Sequence, residues 1–316
     1  MRSIRLLALL AAVCTLFPTS VNPQEGATPQ LNHDPDKALI SANDVRLFWS
    51  AYDLWLNREH GAPEKLAEVL QHEYLDKGSQ GLKGFVPGRI RSAEYLAKVV
   101  LSQRSYYESV RHNTEQMENF IPEIRKYFLW LKKLYPDAAF PSVYFVIGAQ
   151  NSGGTSSADA LIIGSEMFGN GPNYFVQMSD VVPMVIHESA HFQQKDHSKN
   201  DLFNNAMREG GADFVAELVT GRHINEANKP YGDSHEQELW QRFQHDVKSG
   251  AEIGNWMGVF NTTNGEPRDL GYYMGYKICQ SYYQIHSDKQ QALKTIVEMQ
   301  SPEEILSQSG YRQRFK

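Results

Sequence analysis

Cysteine is almost absent from this 316-residue chain: it has only Cys14 and Cys279. A fold held by a disulfide framework is therefore excluded. Long apolar runs are missing too, since no segment reaches the roughly 18 residues that a transmembrane helix needs. Positive charge is not in excess either: 31 Lys and Arg stand against 37 Asp and Glu, a net charge of −6. That balance offers no footprint for nucleic acid. Internal repeats and low-complexity tracts are also lacking. A chain of this length can bury a large core without cross-links.

The apolar run that does exist lies at the start. Arg2 and Arg5 precede "LLALLAAVCTLF" and then "PTS", the pattern of a secretory signal peptide over residues 1–20. The expected mature protein is exported, periplasmic or secreted. Its loss of Arg2 and Arg5 takes the net charge from −6 to −8. Cys14 raises the lipoprotein alternative, but Val13 stands where a small residue is wanted, which argues against an anchor. The cysteine then left, Cys279, reads as a buried helical thiol rather than a nucleophile.

Residues 21–36 are polar and aperiodic and read as a flexible leader. A helical N-terminal portion over 37–138 follows. In "SANDVRLFWSAYDLWL", Ser41 is the expected N-cap, with Asp44 three residues on. "APEKLAEVLQHEYL" gives a helix with Pro63 near its start, "RSAEYLAKVVLSQRSYYESVRHN" one long helix, and "TEQMENFIPEIRKYFLWLKKLY" another, with Pro122 at a kink or early turn. Trp49, Trp55 and Trp130 are expected in the core.

From about residue 139 the character changes to a catalytic portion, expected to pack with the first as one unit. "SVYFVIG" and "ALIIG" read as strands, paired as a hairpin or as neighbours, around the loop "AQNSGGTSSAD". Helices follow at about 180–197, 201–220, 234–248, 268–287 and 289–309. The order of elements gives an α+β fold, mainly helical, with a small β-sheet and a helical C-terminal lobe.

The chemistry concentrates in "VVPMVIHESAHFQQKDH". With Asp180 as N-cap, Pro183 falls in the first turn, where its missing N–H has no intrahelical partner. His187 and His191, four apart, project from one helix face and can reach one ion. Glu188, about 100° round the helix, stands beside that ion and can take a proton from a water it polarises. Two imidazoles suit Zn2+, which brings the pKa of such a water to about 7.

A third ligand is needed, and two residues compete. His197 lies six residues after His191, the metzincin spacing, but Gln194 stands where that pattern needs a turn-forming glycine. Glu209, in "MREGGADFVAELV", lies 18 residues beyond His191 with Asp213 one turn further on the same face. This Glu-x-x-x-Asp arrangement resembles that of the gluzincins. The resemblance makes Glu209 the third ligand and Asp213 the acceptor that orients a ligand histidine, His187 first. Gly210 and Gly211 each cost a helix about 1 kcal/mol relative to Ala, a loss explained here if the two metal-bearing helices approach closely.

"VYFVIGAQNSGGTSSADALIIGSEMFG", "HESAH", "EGGAD" and "DLGYYMGYKI" together resemble the DUF2268 family of predicted zinc-dependent proteases over roughly residues 140–290. That resemblance implies peptidase activity on a peptide or protein substrate. In gluzincins the strand beside the active-site helix pairs with the substrate backbone; Ala160–Gly164 is the counterpart expected here, as an exposed edge. Tyr272, Tyr273 and Tyr276 are candidate donors to the oxyanion, with His223 and His235 behind them. "NTT" at Asn261 is a formal glycosylation acceptor. The expected function is peptide-bond hydrolysis with Glu188 as general base. The alternatives are a metzincin-like peptidase using His197 and a non-hydrolytic envelope binding or assembly protein that keeps the fold. Oligomeric state is not legible.

Overall fold

Asn32 ties down the start of the described chain: its Nδ2 donates to Phe140 O (3.0 Å), while Phe140 N–H donates to Asn32 O (2.6 Å). The computed structural model describes residues 31–315 except 158, 172–175, 196–198, 225, 227 and 259–265. A 3-10 turn at Pro35–Lys37 comes next, capped by the Asp34 side chain, which accepts from Asp36 N. The last part of the expected leader is therefore bonded to the fold. The signal-peptide region, Cys14, His197 and Asn261 lie outside the described residues.

Strand β1 (Ile40–Ser41) leads into helix α1 (Asn43–Arg58). Ser41, the expected N-cap, is thus a strand residue one place before the observed cap, Ala42, and its Oγ accepts from Asn43 N. Asp44 points elsewhere: its carboxylate accepts from Ser79 N (2.9 Å) and Ser79 Oγ (2.5 Å). Those bonds join α1 to the start of α3 (Gln80–Phe85), beyond the short α2 (Leu66–Leu70) and the π-helical turn Gln71–Leu75. The apolar stripe of α1 buries Phe48, Trp49, Tyr52 and Trp55, with the indole N–H groups of Trp49 and Trp55 donating to Thr114 Oγ1 and Ala62 O.

The long helix expected over 91–113 breaks at Gln103 into α4 (Ala93–Ser102) and α5 (Arg104–Glu115). Ser102 Oγ turns back onto Val99 O, a local competitor of helical pairing. After the break, Tyr106 and Tyr107 donate to Glu166 O and Gly148 O. Pro122 sits in the first turn of α6 (Ile121–Leu134) and kinks nothing. Trp130 departs from its expected core position: it is 42% exposed, and Lys133 Nζ lies 4.9 Å from its ring centroid.

The sheet has the order β1-β2-β4-β3, with β2 at Ser142–Val146, β3 at Gly154–Ser156 and β4 at Ala160–Gly164. β2 and β4 are parallel neighbours rather than a hairpin; β3 is antiparallel to β4. Ala160–Gly164 is therefore an interior strand, buried along its whole length, and among the described residues the free edge on this side belongs to β3. A strand covered on both faces reads as an unbroken apolar run, as ALIIG does. A two-stranded ribbon, β5 (Phe168–Gly169) with β6 (Val176–Gln177), comes after it. Helix α7 (Val181–Gln193) packs on β3 and β4.

The chain divides into two compact units. One holds the elements up to Gln193 together with Val215–Ile224; the other holds Gln194–Phe214 and Asn225–Lys316. Helix α8 (Leu202–Thr220) follows Asp201, whose carboxylate accepts from Asn204 N, and ends before Gly221, at φ +74°. The later helices are α9 (Lys229–Ser234), α10 (Glu236–Ser249), α11 (Leu270–Ile285), α12 (Lys289–Glu298) and α13 (Pro302–Gln308). The last two replace the single helix expected over 289–309; Met299, in left-handed backbone, closes the first, and Pro302 opens the second.

Gly210 and Gly211 serve the second unit's own packing. A Cβ on Gly210 would meet the backbone of Tyr272, Gly275 and Tyr276, and one on Gly275 the backbone of Ala206. The glycines at 210 and 275 let α8 and α11 touch backbone to backbone, so the approach expected at the ion is made to α11. Gly210→Ala is accordingly expected to destabilise the protein by about 2 kcal/mol despite alanine's better helix propensity. Gly254→Ala, with nothing within 4 Å, should be near neutral. Urea unfolding of both variants is the check, and equal midpoints would remove this account of Gly210.

Candidate metal centre

The motif helix α7 is preceded by a 3-10 turn, Met178–Asp180, and carries Pro183 in its first turn. Its residues are almost all buried, His187 and Glu188 included. It stops at Gln193 rather than at residue 197. The Gln193 carboxamide accepts from Ala139 N (3.0 Å) and donates to Ala139 O (2.8 Å) and Ser189 O (3.0 Å). Beyond it, Gln194 Nε2 donates to Arg208 O, and Lys195 N–H donates to Glu298 O. The Lys195 N–H, which a continuing helix would have bonded to His191 O, is thus committed elsewhere.

His187 Nε2 and His191 Nε2 lie 2.9 Å apart, their rings at 83° with centroids 4.6 Å apart. Two imidazoles one helical turn apart thus aim the same nitrogen at one point. Glu209, from α8, joins them: one ligand atom from each of His187, His191 and Glu209 falls within 4.8 Å of the others. Among the described residues this is the one group of three or more His, Cys, Asp or Glu side chains so gathered. Tetrahedral zinc with bonds near 2.0–2.1 Å spaces its ligand atoms by about 3.3 Å. The 2.9 Å between the two ring nitrogens lies close to that value, and no ligand atom of the three is farther than 4.8 Å from another. Two neutral nitrogens and a carboxylate oxygen are also the donor set zinc takes where a fourth position stays open. His187 and Glu209 are buried, His191 half-buried.

Glu188 lies against the free edge strand. A Cβ on Gly154 would sit 2.5 Å from Glu188 Oε1 and 2.9 Å from its carboxyl carbon. Any side chain at position 154 would therefore displace the carboxylate, and the glycine in "NSGGTSS" is a steric requirement. Asp213 is buried, one turn beyond Glu209 on α8. Of the tyrosines, Tyr273 donates its hydroxyl to Asp233 Oδ1 (3.1 Å) and is core, which takes it out of the candidates for an oxyanion donor. Tyr276 is buried with its hydroxyl accepting from Gln280 Nε2, and Tyr272 is half-exposed. His223 pairs with Glu217 (3.0 Å) and His235 stacks on Tyr231. Both have structural partners. Cys279 is fully buried, and burial pushes its thiol well above the ordinary range, which suits an inert core residue.

Two residues escaped the sequence reading: Gly154, and Glu166 in the turn after β4. The carboxylate of Glu166 is fully buried and accepts from Gly148 N (2.8 Å) and Gln150 N (3.1 Å). An acid inside the apolar stretch ALIIGSEMFG was the available signal, because a buried carboxylate needs partners.

A family model described as predicted Zn-dependent protease (DUF2268) matches residues 147–307. No curated protein and no solved structure gives a match. The matched span contains every residue of the gathered group. Zinc that binds the folded state alone raises the unfolding midpoint, by the equivalent of about 2.7 kcal/mol at a hundredfold excess over Kd. Thermal unfolding with and without added zinc should show that rise, and removal by a chelator should reverse it. Superimposable curves would mean that the group holds no zinc.

Proposed function

This chain belongs to the DUF2268 family of predicted Zn-dependent proteases, and from that premise we propose that it is an exported peptidase of the gluzincin type. The observation that carries the reading is the convergence of His187, His191 and Glu209, with the Glu188 carboxylate held beside the free edge of a sheet. His187, His191 and Glu209 are the zinc ligands. When bound, zinc polarises the scissile carbonyl and makes water a nucleophile near neutral pH.

The chain's own groups do the rest. Glu188 takes the proton of the attacking water and delivers it to the leaving amine. Asp213, on the same face of α8 as Glu209, accepts the second ring N–H of a ligand histidine, His187 first, and so fixes its tautomer. The substrate lies extended along β3, whose outer edge has no strand partner among the described residues. Main-chain hydrogen bonds then hold a peptide as an added strand and bring its backbone past Glu188. The edge expected at Ala160–Gly164 is thus replaced by Gly154–Ser156. Tyr272 and Tyr276 remain the donors to test for the oxyanion.

Export is supported by the N-terminal run behind Arg2 and Arg5. Among the described residues no helix is long and apolar enough to cross a membrane.

Glu188→Gln should keep its zinc and lose at least about a hundredfold in kcat on a broad peptide library, since general-base catalysis contributes 10²–10⁴-fold. Equal silence of zinc-loaded wild type and variant would defeat the peptidase reading in favour of a non-hydrolytic role. Glu209→Ala should lose zinc while His197→Ala keeps it; the reverse would make His197 the ligand. Gly154→Ala is expected to retain zinc and still lower kcat about tenfold, because the added methyl displaces Glu188. Unchanged kcat would show that this contact does not set the carboxylate's position.

A further inference from the structure

The chain between β2 and β3, residues 147–153, carries the free edge strand, and its backbone is held from within. Tyr74 donates its hydroxyl to Ile147 O (2.7 Å) and accepts from Ile147 N (2.9 Å). Tyr107 donates to Gly148 O (2.8 Å). Asn151 Nδ2 donates to Arg89 O (2.9 Å), and Ser152 Oγ donates to Gly154 O (2.8 Å). Gly164 N–H donates to Gly153 O (3.2 Å). At the centre is Glu166, one oxygen on Gly148 N and the other on Gln150 N.

The approach there is close. A Cβ on Gly148 would lie 2.9 Å from Glu166 Oε1, and one on Gly164 would strike Ser152 O and come within 3.4 Å of Glu166 Oε2. Gln150 is held at φ +56°, a conformation that costs a non-glycine residue energy. Such a conformation persists only where its surroundings impose it, and here the Glu166 carboxylate binds the Gln150 N–H itself. Four residues further on, Gly154 abuts Glu188.

We propose that Glu166 is a positioning residue: its buried carboxyl group pins the 148–150 backbone, and through it sets edge strand β3 against Glu188 and against the substrate. The proposal rests on the peptidase reading for its consequence in catalysis, but not for its consequence in the loop. Among the described residues, the hydrogen-bond partners of the Glu166 carboxylate are backbone N–H groups and include no compensating cation. Its neighbours are the phenols of Tyr74 and Tyr107, which feel its charge, and Tyr106, which donates to its main-chain oxygen. Asp44 also acts on Tyr74, and Tyr95 on Tyr107, while Arg89 offers the loop its carbonyl. Burial, only partly offset by the backbone N–H groups of Gly148 and Gln150, lifts the Glu166 carboxyl to about 7.

A loop-open form exposes Glu166 and returns it to the ordinary carboxyl range near 4.5. The closed form binds the proton more tightly, so the hold on the loop is full below about 4.5 and is lost as pH rises through about 7.

Hydrogen–deuterium exchange on the zinc-loaded full chain tests this. In wild type, protection of the amides of residues 148–156, corrected for intrinsic exchange, should fall as pH rises from 5 to 8, while protection in α5 and α6 stays level. Glu166→Gln, held neutral, should lose the pH dependence and protect the loop less than wild type does at pH 5, because its single acceptor oxygen serves one of the two N–H groups and its NH2 faces the other. Glu166→Ala should exchange there at least about tenfold faster, bind zinc as wild type does, and raise KM more than it lowers kcat. A pH-independent loop in wild type would overturn the proposal even if no variant folds. So would loosening in Glu166→Ala spread evenly over the whole unit, which is the mark of a merely structural residue. Loop behaviour as expected, with no hydrolysis by wild type, would overturn the peptidase reading alone.

Discussion

The site depends on one constraint: ionisable side chains are carried on a helix whose surroundings are almost wholly apolar. In such surroundings a polar group left without a partner costs several kcal/mol, so each must be placed by contacts rather than by solvent. His187 and His191 face each other across 2.9 Å. Glu188 is boxed by the backbone of Gly154, and Glu209 joins from α8. The helix ends at Gln193, two residues past His191, where the Gln193 carboxamide is bonded to both backbone groups of Ala139.

Backbone approach through glycine is the device used twice to meet that constraint. At Gly154 the lack of a side chain leaves room for a carboxylate. At Gly210 and Gly275 it lets α8 and α11 meet backbone to backbone, which anchors the turn that bears Glu209. The two contacts fix different parts of the site, the Glu188 carboxylate in one case and the helix that bears Glu209 in the other. Glu166 extends the logic one layer outward, since it holds the backbone that in turn holds Glu188.

Much of this was legible in the sequence because it is periodic. Two histidines four apart, with a glutamate between, define a face wherever the helix is, and the Glu209–Asp213 pair does the same one helix later. The strands SVYFV and ALIIG were legible too, but their pairing was not. Pairing is set by long-range contacts, and an interior strand and an edge strand can share the same apolar run. For that reason the edge moved from Ala160–Gly164 to Gly154–Ser156, three residues that look like loop. The long helix over 91–113 broke where Ser102 bonded backward, and Trp130 lay on a face that stayed in solvent. Gly154 carries no signal of its own and Glu166 only that of an acid in an apolar run, for a related reason: each matters through a neighbour remote in sequence.

The central claim is that one ion is held by two histidines of α7 and one carboxylate of α8. Zinc-edge anomalous diffraction from crystals of the zinc-loaded protein tests it most directly. The expected result is a single strong peak about 2.0–2.2 Å from the Nε2 atoms of His187 and His191 and from a carboxylate oxygen of Glu209. A peak coordinated by His197 in place of Glu209, or no peak between His187 and His191, would contradict it.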